Sequence, residues 1–330
     1  MNYGIYFAYW EKEWNADQKQ YIRKVKELGF DILEISCAML KNISMEDLAS
    51  LKKEADDQGI ILTAGYGPNA SENLGSPDSA IVNNAITFYT DILKKLEFLN
   101  IHTLGGGIYS YWPVDYSQPI DKAGDWERSV KNVRTVGKIA AECGVNYCLE
   151  VLNRFEGYLI NTCAECRQFV EEVDVPSVKI MLDTFHMNIE EDNMVEAILL
   201  AGDKLGHFHV GENNRRLPGK GGFPWYEIGM ALRAIGYQGN VVMEPFVRNG
   251  GTVGNDIKIW RDLSRVPVWH SLIQTPGIRL HFSATYSVAQ RLIITAFYIK
   301  IEINKEVFYY ENISCYWHQT NCRLQTFRYT

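Results

Sequence analysis

Short apolar runs rich in β-branched residues alternate along this chain with longer stretches whose apolar positions recur at helical spacing. The runs predict strands at 3–6, 32–36, 60–65, 101–105, 147–150, 179–183, 205–209 and 240–244. Helices are expected near 16–28, 45–58, 77–99, 125–143, 162–173, 192–202 and 225–235. Asp125 before Trp126 and Thr162 before Cys163 read as N-caps, and Gly29, Gly59, Gly144 and Gly236 stand where left-handed C-terminal residues belong. Eight strands joined through helices imply parallel pairing by right-handed crossovers. That count, with no second-domain signature, predicts a closed (β/α)₈ TIM barrel. An open doubly wound sheet is the weaker reading, because the first strand-to-helix turn lacks the glycine fingerprint of a dinucleotide site. No nucleotide cofactor is therefore expected.

The pattern changes after Ser264. Residues 265–330 hold one glycine of 26, Gly277, and no Asp, with seven Lys and Arg against three Glu, a net of +4. The first 264 residues carry 26 Lys and Arg against 37 Asp and Glu, a net of −11. The later segment is aromatic-rich, with β-prone runs such as Val307-Phe308-Tyr309-Tyr310, and it lacks a helical period where an eighth barrel helix should fall. The expected organisation is a catalytic barrel over 1–264 followed by an atypical tail over 265–330, with the last helix atypical or missing. Such a tail is either an appended element or a non-native barrel end.

With 46% hydrophobic and 22% charged residues the composition is that of a soluble globular protein. A formal charge of −7 argues against a nucleic-acid partner, since phosphate grooves need a positive face, and suits a small neutral substrate or a cation. The start Met1-Asn2-Tyr3-Gly4 has no basic and apolar leader, and no apolar run approaches membrane-spanning length, so no membrane partner is expected. Seven scattered cysteines fit reduced thiols and a cytoplasmic location. Cys163 and Cys166 have redox-motif spacing, but the cap at Thr162 favours a structural role in a helix.

Chemistry gathers at four strand ends. Glu150, Asp183, His209 and Glu244 close four successive expected strands at spacings of 33, 26 and 35 residues, about one strand-helix unit each. In a barrel those ends converge on one rim. Each residue alone reads as a cap or an ion-pair partner, but charge placed repeatedly at one rim by apolar strands argues for a shared site. Three carboxylates and an imidazole suit Mn²⁺, Co²⁺ or Mg²⁺. Glu156, His186 and Arg215 follow on the loops as sugar-binding candidates, with Arg216 an equally basic alternative. Tyr6, Tyr66, Trp112 and Phe246 follow strands one, three, four and eight and offer rings for the C–H faces of a sugar. Gly105-Gly106-Gly107 lacks the Lys-Ser/Thr of a phosphate loop and reads as backbone making room for a ligand or a turn.

These motifs carry a resemblance. Residues 1–264 resemble the D-tagatose 3-epimerase family, on the side of its D-psicose (D-allulose) 3-epimerase members. The matching stretches include Leu149-Glu150-Val151-Leu152-Asn153-Arg154-Phe155-Glu156, Met181-Leu182-Asp183-Thr184-Phe185-His186-Met187-Asn188 and Met243-Glu244-Pro245-Phe246-Val247-Arg248, with 4–10, 28–34 and 109–115. The resemblance implies a homodimeric or homotetrameric barrel enzyme binding one Mn²⁺ or Co²⁺ through Glu150, Asp183, His209 and Glu244. It also implies ketose contacts from Glu156, His186 and Arg215. The expected reaction is C3 epimerisation of free ketohexoses, D-fructose/D-psicose or D-tagatose/D-sorbose, through a cis-enediolate. Epimerisation needs a base on one face of C3 and an acid on the other, and Glu150 and Glu244 are the candidates. The chain departs from the family at His209-Val210-Gly211-Glu212-Asn213-Asn214-Arg215, where a Thr and a Cys are replaced, in 37–44, and after Ser264.

Other readings remain in view. An aldose–ketose isomerase needs a similar metal site. A barrel endonuclease would want more histidines and a basic groove. An inactive or merely sugar-binding barrel, compromised by its tail, is the reading from outside enzymology.

Overall fold

The apolar runs become eight strands buried almost throughout: β1 (Asn2–Tyr6), β2 (Ile32–Ser36), β3 (Ile61–Gly65), β4 (Thr103–Gly106), β5 (Asn146–Glu150), β6 (Val178–Asp183), β7 (Leu205–Val210) and β8 (Asn240–Met243). Continuous apolar character, instead of strict alternation, marks a parallel sheet covered on both faces. In the computed structural model the strands close into a barrel in the order β1 to β8, with β8 parallel to β1. The structure describes residues 1–264 and, beyond them, the backbone of two short strands.

The covering helices are α1 (Tyr21–Glu27), α2 (Cys37–Leu40), α3 (Met45–Gln58), α4 (Ser79–Phe98), α5 (Lys122–Glu142), α6 (Cys163–Val173), α7 (Thr184–Glu190), α8 (Met194–Ala201) and α9 (Trp225–Ala234), and α10 (Gly251–Asp256) follows β8. Thr162 caps α6 as expected, its hydroxyl accepting from the Glu165 N–H while the Glu165 side chain returns to the Thr162 N–H. Asp125 does not cap α5. The helix begins one turn earlier, where Asp121 accepts from the Gly124 N–H, and Asp125 instead pairs with Arg128 and Tyr158. Gly29, Gly59, Gly144 and Gly236 all take positive φ at helix ends. The short helices α2, α7 and α10 were not legible, because a helix under two turns shows no period.

Among the described residues no helix is long and apolar enough to cross a membrane. The two strands beyond the barrel, β9 (Lys300–Ile303) and β10 (Glu306–Tyr309), pair antiparallel, in keeping with the β-prone run at 307–310. The expected atypical or missing eighth helix lies outside the described residues.

Register sets up the site. Asp183 lies opposite His209 across β6 and β7, and Tyr6 lies opposite Glu34 across β1 and β2. Leu33, Ile35, Leu104, Leu149, Leu182 and Phe208 are fully buried. They alternate along their strands with the inward-facing Glu34, Gly105, Glu150, Asp183, His207 and His209, so they pack between the barrel and its helices. Removing a side chain of that size from water stabilises the fold by roughly 1.5–3 kcal/mol. Against that background the equally buried Glu34, Thr63 and His207 are conspicuous, since charge this deep must be paired.

Candidate metal centre and sugar cavity

Glu150 ends β5, Asp183 ends β6, His209 is the penultimate residue of β7, and Glu244 stands one residue past β8. One ligand atom from each lies within 4.8 Å of all the others. Glu150 Oε1, Asp183 Oδ2 and His209 Nδ1 are buried and have no hydrogen-bond partner among the described residues. Buried polar atoms are almost always paired, so three orphans aimed at one point fit a bound cation. The donor set is hard and mostly oxygen, which fits Mn²⁺, Co²⁺ or Mg²⁺ over a thiolate-seeking ion.

A support beneath the ring was missed in the sequence. Glu34 of β2 accepts from His209 Nε2 at 2.6 Å, from His207 Nε2 at 2.7 Å and from the Thr63 hydroxyl at 2.8 Å. Burial alone would raise the Glu34 pKa, but the two imidazoles beside it hold the carboxyl well below the usual range. It is thus an acceptor only, and both Nε2 atoms carry hydrogen. His209 Nδ1 is left facing the carboxylates, 3.5 Å from Glu244 Oε1. This is the carboxylate–histidine arrangement that orients metal-binding imidazoles. The signal was a Glu in the otherwise apolar run Ile32-Leu33-Glu34-Ile35.

The second set of candidates joins the same place. His186 is in the first turn of α7, not on a loop, with Nε2 3.6 Å from Glu150 Oε1 and 3.7 Å from Asp183 Oδ2. The Asn153 backbone N–H can only donate, and it reaches His186 Nδ1 at 3.3 Å. The ring proton therefore sits on Nε2, facing the cavity. Burial lowers the His186 pKa, which keeps the ring neutral. Arg215, not Arg216, enters the site. Its backbone is left-handed, with φ at 61°. Its guanidinium stacks 3.5 Å over Phe185 and donates to Glu156 Oε1 at 2.8 Å, with Nη1 3.6 Å from Glu244 Oε2. Burial would raise the Glu156 pKa, but Arg215 and His186 bring it below its usual value.

Above these groups opens a cavity of about 290 Å³, lined by Glu150, Glu156, His186, Arg215 and Glu244 together with Tyr6, Tyr66, Trp112 and Phe246. All four expected aromatics face it, as do Trp14 and Lys41, which the sequence reading passed over. The volume suits a monosaccharide. Gly106 and Gly107 line it too, and a Cβ on Gly106 would fall 2.1 Å from the Tyr66 carbonyl oxygen, so the triplet allows one rim loop to approach the next. Cys163 and Cys166 are buried free thiols, and burial raises both their pKa values, in keeping with the structural role expected of them.

Without a cation the ring resists ionisation. Burial, then the Glu244 charge, pushes the Glu150 carboxyl well up, and burial also raises Asp183. Burial would lower the His209 pKa, but Glu34 and Glu244 raise it well above its usual value. Each raised group binds protons more tightly folded than unfolded. The metal-free protein is therefore expected to lose stability as pH rises, from about 4 for the carboxyls and about 6.5 for His209, through their folded values. A metal must displace those protons, so its affinity rises with pH. The Mn²⁺-induced rise in Tm should be larger at pH 8 than at pH 6. An equal rise at both would contradict this ligand set.

Three comparisons bear on this geometry. Residues 22–266 match the family model described as the xylose isomerase-like TIM barrel. The chain is 61% identical over 264 residues to a D-psicose 3-epimerase of Ruminiclostridium cellulolyticum, covering 80% of this chain and 90% of that one. It is similar to the crystal structure of a D-psicose 3-epimerase from Clostridium cellulolyticum with D-tagatose, at 55% identity and TM-score 0.80 over 90% of this chain and 97% of that one. A D-psicose 3-epimerase crystallised in the presence of D-fructose matches at 54% identity and TM-score 0.79, over 80% and 91% of the two chains.

Proposed function

This chain belongs to the xylose isomerase-like TIM-barrel family, and we propose that within it the protein is a metal-dependent ketose 3-epimerase acting on free ketohexoses. The observation that carries the metal assignment is the set of three orphaned, buried ligand atoms converging with Glu244. D-Fructose and D-tagatose accompany the two similar structures, and interconversion of D-fructose and D-psicose is the reaction proposed here.

Glu150, Asp183, His209 and Glu244 hold the ion. When bound, a divalent cation supplies charge that draws electrons from the C2 carbonyl and so acidifies the C3 proton. Glu150 and Glu244 come from strands three places apart round the ring, with carboxylate oxygens within 4.8 Å. One takes the C3 proton from one face, the other returns a proton to the opposite face, and the roles exchange in reverse. His186 Nε2–H and the Arg215 guanidinium donate to substrate oxygens as negative charge develops. Glu156, fixed by Asn153 at 3.0 Å and by Arg215, accepts from a hydroxyl. Phe246, Tyr6 and Trp112 exclude water and pack against C–H faces.

Incubation of D-fructose with the purified protein and Mn²⁺ should yield D-psicose and no aldose by chromatography, with activity abolished by chelation and restored by metal. An aldose product would move the reading to an aldose–ketose isomerase. Bound sugar without turnover would favour a sugar-binding barrel.

A further inference from the structure

The two sides of the cavity differ in kind. Proton-transfer and cation-binding groups come from β5 to β8, while the facing wall comes from β1 to β4 and carries Tyr6, Trp14, Tyr66, Trp112 and one ammonium, Lys41. In an eight-stranded ring β2 stands opposite β6, and β3 opposite β7. Lys41, just past β2 and α2, and Tyr66, just past β3, therefore lie across the mouth from Asp183 and His209. A ketose whose C1–C3 end reacts at Glu150 and Glu244 extends its other end toward that wall.

Lys41 is held for a purpose that packing alone does not require. The carbonyls of Leu40 and Lys41 accept from Lys95 Nζ at 2.8 and 3.2 Å, which fixes the turn. The Lys41 ammonium donates to Glu72 Oε1 at 2.8 Å and lies 5.2 Å from the centres of the Tyr66 and Phe88 rings. Glu72 is itself buried, and its other oxygen accepts from the Tyr66 hydroxyl and the Asn69 N–H. An ammonium has three donors, and Glu72 is its hydrogen-bond partner among the described residues, so two remain. Because Glu72 balances the charge, a neutral hydroxyl suits this position better than a phosphate.

We propose that Lys41 is a specificity-determining residue that donates to the C6 hydroxyl of the ketohexose, with Glu72 and Tyr66 fixing its ammonium. The inference rests on the epimerase reading and deepens it. It is tested with D-fructose and 6-deoxy-D-fructose, with kcat/KM expressed per open-chain sugar because the deoxy ketose cannot close a pyranose ring. The unsubstituted protein should favour D-fructose in kcat/KM by about tenfold or more, the worth of one charge-assisted hydrogen bond, chiefly through KM. Lys41→Met should lose that preference by lowering kcat/KM for D-fructose alone. Since Lys41→Met leaves Glu72 unpaired, the double variant Lys41→Met/Glu72→Gln removes both charges and should show the same loss, with thermal melting to verify folding. Preference retained in either folded variant, or absent from the unsubstituted protein, overturns the assignment. Failure of the unsubstituted protein to epimerise either sugar would instead overturn the epimerase reading.

Discussion

Glu150→Gln and Glu244→Gln should each lower the epimerisation kcat by roughly 10²–10⁴-fold, the usual worth of a general acid or base, at saturating Mn²⁺. The amide keeps an oxygen for the cation but cannot take up a proton. Loss of rate alone would not separate a base from a ligand, and exchange does. In a two-carboxylate site each Glu serves one face of C3. Each variant should therefore still exchange the C3 proton of one epimer with solvent, and not that of the other. The retained epimer should differ between the two variants. Loss of the same exchange in both, or of neither, would show that the two carboxylates do not share the work this way.

Glu34→Gln should lower Mn²⁺ affinity by about 10–100-fold, the usual effect of altering a partner that orients a metal ligand. Glu34 receives a hydrogen from His207 on Oε2 and one from His209 on Oε1, and Gln keeps an oxygen at only one of those two positions. If its N–H₂ meets His209, that ring must carry its proton on Nδ1, the atom the cation needs. Glu34→Ala leaves both imidazoles without their buried acceptor and should destabilise the fold by about 3–5 kcal/mol, measured by chemical denaturation. Unchanged affinity in Glu34→Gln, by calorimetric titration, would mean that Glu34 is only a core ion-pair partner. Nitrogen NMR of the histidine rings reads the tautomer directly.

Much of this arrangement was legible in the sequence, for physical reasons. Parallel strands covered on both faces must be apolar, so a charge at each of four successive strand ends stands out. Asp183 and His209 were found this way, and Arg215 and His186 by their distance from those ends. What escaped depends on contacts distant in sequence. Glu34 and His207 are 173 residues apart and meet only because the barrel closes. Lys41 sits in the 37–44 stretch where the family resemblance fails, so neither periodicity nor motif marked it. Asp125 was misjudged as a cap because one turn of α5 lies ahead of its apolar period, and the local choice between Asp121 and Asp125 is settled by which side chain reaches a free N–H. The choice of Arg215 over Arg216 turned on a left-handed residue that no pattern announced.

The central claim, deprotonation and reprotonation at C3 between Glu150 and Glu244, is tested most directly by solvent-deuterium incorporation. D-Fructose would be incubated with the protein and Mn²⁺ in D₂O, and both sugars examined by NMR. Deuterium at C3 of the D-psicose formed, with none at C1, is the predicted result. D-Psicose formed without solvent deuterium at C3, or label at C1 with an aldose appearing, would contradict the account.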